Sequence, residues 1–220
     1  MAGVAVSWSG GKESNLSYYK AMSNGFEIKC LLNLVRKDVG RCMSHGVTAN
    51  LLAAQAETIG VPIVQREATW KTYEEVFKEA VYELKQRGVE GMVFGDIDLE
   101  EHKEWVERIC EETGIQPIEP LWQKDPTALL KEFIEAGFKA IVVSVKVSML
   151  GSEWLGRRVD PDFVRDLHTL KEGADLHLCG EAGEYHTFVY DGPLFKRPLK
   201  ILKGEITSEN GHLFLDIQLA

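Results

Sequence analysis

No two cysteines in this 220-residue chain stand at short spacing; Cys30, Cys42, Cys110 and Cys179 include no C-x-x-C pair. That excludes a zinc ribbon and a thioredoxin-type couple. Cys30 and Cys110 lie in apolar or amphipathic surroundings and read as buried. For Cys179, small-residue packing is the expected role, with a reactive thiol as the alternative. No apolar run approaches the roughly 20 residues of a membrane span. The stretch Met1-Ala2-Gly3-Val4-Ala5-Val6-Ser7 has no basic residues ahead of its short apolar run, so no signal peptide is expected and the cytoplasm is the expected location. Positive charge is also short, with 25 Lys and Arg against 34 Asp and Glu, a net charge of −9. Gripping a nucleic-acid backbone needs clustered cations, so nucleic acid is not an expected partner. The best basic group, Lys196, Arg197, Lys200 and Lys203, reads as a solvated face. There is no internal repeat and no low-complexity linker. What remains is an ordinary globular balance of 45% hydrophobic and 27% charged residues, able to bury a full core.

The first half alternates strand and helix signals. Strands are expected at 4–7, 28–35, 62–64 and 91–94; helices at 14–23, 48–59, 73–87 and 100–113. Gly60, Gly88 and Gly114 supply the helix stops. Continuous apolar strands between helices imply a parallel sheet covered on both faces. After Pro117 and Pro120 the character changes. A helix is expected at 126–136 and a strong strand at 140–147, then a polar, glycine-containing region to about Gly192. Two strands around Glu209-Asn210-Gly211 close the chain. The expected fold is therefore α/β, a doubly wound Rossmann-like sheet with a smaller C-terminal α+β unit. The expected boundary divides residues 1–122, for nucleotide, from 123–220, for substrate.

Ser9-Gly10-Gly11-Lys12-Glu13-Ser14 follows the first strand directly and opens the first helix. Ligands of open α/β sheets bind beyond the carboxyl ends of strands. A helix N-terminus offers unpaired N–H groups and a partial positive charge to an anion. Gly10 and Gly11 permit the turned backbone of an anion nest, Lys12 adds charge, and Ser9 and Ser14 add hydroxyl donors. A Walker A loop is excluded, because Val6 and Glu13 stand where it needs Gly and Ser or Thr. A second polar group lies between Cys179 and Phe195, where Glu181, Glu184, His186 and Thr187 fall within seven residues and Gly180 and Gly183 bracket the acids. That spacing suits carboxylates, an imidazole and a hydroxyl converging on one polar substrate.

The SGGKES string resembles the SGGKDS signature of the PP-loop ATP pyrophosphatases (adenine nucleotide alpha-hydrolase-like), with Glu13 in place of Asp. The segment from Gly180 to Phe195 is very similar to the C-terminal motif of the diphthine–ammonia ligase family. Ser152 to Arg157, Glu119 to Trp122, and Cys42 to Asn50 resemble further segments of that family. Together they span residues 7–195. The acidic stretch from Asp98 to Trp105 departs from the basic segment of many eukaryotic members.

The resemblance implies an ATP-dependent amide ligase using ATP, Mg²⁺ and ammonium, whose acceptor is the diphthine carboxylate of elongation factor 2. The carboxylate would attack the α-phosphate, pyrophosphate would leave, and ammonia would displace AMP. By the same resemblance Ser9, Gly10, Gly11, Lys12 and Ser14 hold phosphate, and the strand backbone near Leu34, with His45, lies by the adenine or α-phosphate. Gly95 and Asp96 belong at the switch-point cleft, with a helix cap as the other role for Asp96. Lys12, Glu181, Glu184 and His186 are the candidate catalytic groups. Glu181, Gly183, Glu184 and Thr187 face the acyl substrate or ammonia, and Trp154 and Arg157 shape that side, with a structural ion pair the alternative for Arg157. Two alternative readings remain: a PP-loop enzyme adenylating another carboxylate or a tRNA base, and a nucleotide-sensing module without catalysis.

Overall fold

The structure is a computed structural model describing residues 2–43 and 45–220; Met1, and Ser44 within the Cys42–Asn50 stretch, lie outside the described residues. In chain order the first half forms β1 (Gly3–Ser7), α1 (Lys12–Ser23), β2 (Glu27–Arg36), β3 (Arg41–Cys42), α2 (Ala49–Ile59), β4 (Ile63–Ala68), α3 (Tyr73–Gln86), β5 (Gly91–Val93), α4 (Glu100–Thr113) and β6 (Gln116–Ile118). The second half forms α5 (Pro126–Glu135), β7 (Lys139–Lys146), a 3₁₀ turn at Ser152–Trp154, α6 (Pro161–Lys171), β8 (Tyr185–Asp191), β9 (Ile201–Glu209) and β10 (His212–Leu219).

Alternation along the strands divides the first sheet between two cores. Val4, Val6 and Leu31 pack with Leu16 of α1 and Leu51, Leu52 and Ile59 of α2. Ala5, Cys30, Leu32 and Leu34 pack on the opposite face with Phe77 and Val81 of α3 and Val106 and Ile109 of α4. Strands β4, β2, β1, β5 and β6 are parallel neighbours in that order, so the chain reverses direction across the sheet between β1 and β5. The doubly wound α/β expectation is met.

β3 and β6 add to the expected strands. β3 pairs antiparallel with Val35 and Arg36, past the point where β1 stops pairing at Leu32. The other edge of that segment is taken by β4, so β3 lies above the end of β1. β6 carries Pro117, which the strand tolerates because β6 is the sheet edge.

The polar region from 151 to 192 contains a full helix, α6, where none was expected. Its start carries the same signal as α5: Asp125 and Asp160 each accept from a backbone N–H three residues on, with Pro at the first helical position.

The second sheet is antiparallel, in the order β8-β7-β10-β9. Its Ile141, Val143, Phe188 and Ile217 join the same core as α1 and α2. Gln55 fastens the two sheets. Its amide donates to the carbonyls of Gly10 (3.0 Å) and Val189 (2.6 Å), and its oxygen accepts from the Trp8 indole (3.0 Å). Gln55→Leu should cost about 3 kcal/mol in urea unfolding, because it removes three buried hydrogen bonds, including that of the Trp8 indole. A change below about 0.5 kcal/mol would show that the clasp contributes little.

Candidate active site

The carboxyl ends of β1, β2 and β5 open onto a cavity of about 910 Å³, within the size range of small-ligand clefts. Ser9, Glu13 and Ser14 line one part of it, and Gly95 and Asp96 another, as expected for the switch point. Gly95 must be small: a Cβ there would lie 3.1 Å from the Glu13 Cβ and 3.3 Å from the Ser14 nitrogen. Leu34, Met43, Phe77 and Phe94 form an apolar wall, with Tyr73 and Trp105 beside it. The Leu34 carbonyl accepts from the Met43 N–H (3.2 Å), which holds the chain after β3 against β2.

The phosphate loop is built jointly by both halves of the chain. Gly10 adopts φ +78°, open to glycine, and its carbonyl accepts from the Val189 N–H (3.0 Å). The Lys12 N–H at the start of α1 donates to the Thr187 hydroxyl (3.0 Å), so Thr187 acts as a cap supplied from a distant strand. Asn15 and Ser14 donate back to the Gly11 carbonyl, and Ser9 and Ser14 share a hydroxyl contact at 3.3 Å.

The Lys12 side chain turns away from the cavity. Its buried ammonium donates to the Cys179 carbonyl (2.6 Å), pairs with Glu13 (2.5 Å) and sits 4.3 Å from the centre of the Tyr185 ring. As placed, Lys12 ties the loop to the 179–187 segment. The physical reason lies in its surroundings: Glu13, the Tyr185 face and the Cys179 carbonyl together compensate a cation that bare burial would forbid.

Of the 179–187 acids, only Glu181 reaches the cavity, where its carboxylate accepts from the Ile97 N–H (2.9 Å). Glu184 is buried and accepts from the His177 N–H (2.7 Å), bracing the segment from within. Gly183 serves a turn at φ +81°, donating to the Gly180 carbonyl. Trp154 and Arg157 lie away from the cavity: the guanidinium stacks 4.3 Å over the Trp154 ring and pairs with Asp166 of α6 (2.6 Å). Asp96 does not cap α4, whose N-cap is Leu99; it accepts from His102 Nδ1 (2.9 Å). Burial pushes the Cys179 thiol far up, and its Sγ packs against the Pro126 carbonyl, the environment of a structural cysteine.

His45 and His186 stack at 4.5 Å between ring centres. His45 Nδ1 donates to the Thr187 carbonyl (3.0 Å), which leaves Nε2 as the acceptor. Burial lowers the His45 pKa to about 4, and burial with the neighbouring His45 holds His186 well below its usual range. Both rings are therefore neutral at pH 7. A histidine held neutral contributes stability that is complete above its unfolded value near 6.5 and is lost as pH falls toward 4, about 3 kcal/mol for His45. Glu181, raised to about 7 chiefly by burial, acts in the opposite sense, losing stability as pH rises between 4.5 and 7. His45→Gln should flatten the fall in unfolding free energy between pH 6.5 and 4. An unchanged slope would put the acid sensitivity elsewhere.

Sequence reading passed over His102, Gln55, His177 and Ser144. Gln55 had a signal, as the one amide among Leu52, Ala56 and Ile59 on a buried helical face. His177 joins Asp98 (3.1 Å) to the Glu181 N–H (3.2 Å), a contact only the fold creates. Ser144 faces the cavity beside His186 because the two are cross-strand partners.

A strand, a glycine-rich SGGKES turn and a helix at a parallel-sheet switch point define an α/β nucleotide-binding protein of the PP-loop kind. The chain belongs to the diphthamide synthase family: the family's N-terminal domain matches residues 2–117 and its C-terminal domain residues 125–220. Similar proteins include "Diphthine--ammonia ligase" of Danio rerio, 32% identical over 88% of this chain and 84% of that one. The protein of that name from Bos taurus is 30% identical over 97% of this chain and 88% of its own length. A solved structure from Methanocaldococcus jannaschii, described as a predicted subunit of tRNA methyltransferase, aligns with a TM-score of 0.48 at 19% identity. It covers 88% of this chain and 98% of that one, a likeness too distant to bear on function. Among the described residues no helix is long and apolar enough to cross a membrane.

Proposed function

We propose that this chain is an ATP-dependent ligase that joins ammonia to the diphthine carboxylate of elongation factor 2, forming AMP and pyrophosphate. The observation that carries the reading is the knitting of the SGGKES loop to residues 179–189 at the head of one cavity, in a chain matched end to end by a diphthamide synthase family. Residues 1–122 would hold the nucleotide and residues 123–220 the acceptor side.

The residues present suit ATP. The cavity has room for it, the N-terminus of α1 and the Ser9 and Ser14 hydroxyls favour an anion, and the wall near Leu34 and Phe94 suits a nucleobase. They suit Mg²⁺ as well, since Ser9, Ser14 and Glu13 present oxygen atoms beside the place for phosphate. When bound, the ion neutralises charge building on the departing pyrophosphate. A carboxylate is a poor acyl donor, and attack on the α-phosphate converts it into an acyl adenylate with AMP as leaving group. The loop amides orient the phosphates for that in-line step. The neutral His45 beside Gly11, with the neutral His186 packed on its ring, adds no charge that would hold pyrophosphate back.

Incubation with ATP, ammonium and diphthine-bearing elongation factor 2 should yield AMP and pyrophosphate in equal amounts only when both co-substrates are present. AMP release indifferent to the elongation factor would remove the acceptor from this reading and leave an ATP pyrophosphatase.

A further inference from the structure

An ammonia ligase meets its nitrogen substrate chiefly as ammonium, which has no lone pair to attack with. On the ligase reading above, two protons must leave the nitrogen before an amide exists, and the one acid of the phosphate loop, Glu13, is engaged by the Lys12 ammonium. Among the described residues, Asp96, His102 and Glu181 each bring one side-chain donor atom to within 4.8 Å of the others, and all three line the cavity that holds Ser9 and Ser14.

Three separate elements converge there, which a solvated acidic surface would not require. Asp96 follows β5, His102 lies on the first turns of α4, and Glu181 comes from the segment before β8. Each is held in place. The Ile97 N–H donates to Glu181 (2.9 Å), His177 bridges Asp98 to the Glu181 N–H, and His102 Nδ1 donates to Asp96 (2.9 Å). That last bond leaves His102 Nε2 as the basic nitrogen, the arrangement of a carboxylate-oriented imidazole base.

The charges facing the cluster are Glu13 of α1, Asp96 and Asp98 after β5, Glu101 of α4, and His177. Lys12, the nearby cation, is spent on Glu13 and the Cys179 carbonyl. The surroundings are anionic and therefore suit a small cation. Burial raises Glu181 to about 7, near the working pH of a base at neutrality, and the bond to Asp96 raises His102 above its ordinary value, strengthening it as a proton acceptor.

We propose that Glu181 and His102 are the catalytic proton acceptors for the nitrogen substrate, and that Asp96 is the positioning residue for His102. The Glu181 carboxylate takes one proton from ammonium, and the freed lone pair forms the C–N bond at the acyl carbon. The C–O bond to AMP breaks, and AMP leaves with that electron pair. The second proton on nitrogen passes to His102 Nε2, so one ammonium yields one amide and two protons. The acidic stretch that opens α4 thus supplies a reacting group, His102.

The test compares nitrogen sources. Hydroxylamine is already uncharged at neutral pH and needs no base to free its lone pair. Glu181→Gln and His102→Gln should each lower ammonium-dependent amide formation about a hundredfold or more. In Glu181→Gln the hydroxylamine-dependent product should stay within about threefold of the parent, whereas in His102→Gln it should fall with the ammonium reaction, because both nucleophiles shed a proton after the C–N bond forms. ATP–pyrophosphate exchange with the diphthine-bearing acceptor should stay within about threefold in both variants. Asp96→Asn should move the pH profile of the ammonium reaction through loss of the His102 partner while leaving exchange intact. Thermal unfolding confirms that each variant is folded, and His102, half exposed, tolerates replacement. Parallel loss of the ammonium and hydroxylamine reactions in Glu181→Gln would overturn the proposal, as would an unchanged ammonium rate in either variant. Stoichiometric Mn²⁺ binding by the ATP-free protein that disappears in His102→Gln would also overturn it, assigning the cluster to a metal. Absence of acceptor-dependent exchange in the parent protein would instead remove the ligase reading itself.

Discussion

Gly11→Ala should abolish measurable ATP binding and lower stability by about 1–3 kcal/mol, the range for overpacking a closed interior. A Cβ at Gly11 would lie 2.2 Å from His45 Cε1, 2.8 Å from its Nδ1 and 3.2 Å from the Thr187 carbonyl. None of these can yield cheaply. The His45 ring is held by the Thr187 carbonyl on one side and by His186 stacked on it, and Thr187 in turn caps Lys12. Displacing the ring moves the cap, and moving the cap disturbs the first N–H groups of α1, where an anion would bind. Calorimetric titration with a non-hydrolysable ATP analogue and urea unfolding check the two halves of this expectation. Retained affinity with normal stability would mean that His45 is free to swing aside.

Lys12→Met should destabilise the chain by about 3–5 kcal/mol, because it leaves Glu13 and the Cys179 carbonyl without their buried cation. The double replacement Lys12→Met with Glu13→Gln should recover part of that loss, since removing both charges costs less than stranding one. A lysine reaching for phosphate gives a different pattern: Lys12→Met of near-parental stability with ATP turnover lost. Urea unfolding of the single and double variants separates the two, and the geometry favours the first.

The role of Lys12 marks the limit of sequence reading here. Its place in SGGKES pointed to a glycine turn after a strand, and the turn stands at the switch point between β1 and β5. The direction of its side chain depends on Tyr185, Cys179 and Glu13, two of them more than 160 residues away. Glu181 and Glu184 show the same division. Both fall in one glycine-bracketed motif, yet one carboxylate enters the cavity while the other closes on the His177 N–H. Residue type and spacing cannot separate them, because the turn at Gly180 and Gly183 decides which way each faces.

By itself the sequence determined the local rules: alternating apolar strands, helix caps and stops, and the glycine turn that opens α1. Those properties depend on backbone conformation and on neighbours within a few residues. From them came the parallel doubly wound sheet and the position of the phosphate loop. Only the tertiary structure decided that β8 closes this loop through Thr187 and Val189, that Trp154 and Arg157 pack on α6, and that Asp96, His102 and Glu181 meet. The contacts of Thr187, Val189 and Glu181 join segments whose separation along the chain carries no local signal, and they form because the second sheet shares one buried core with α1 and α2.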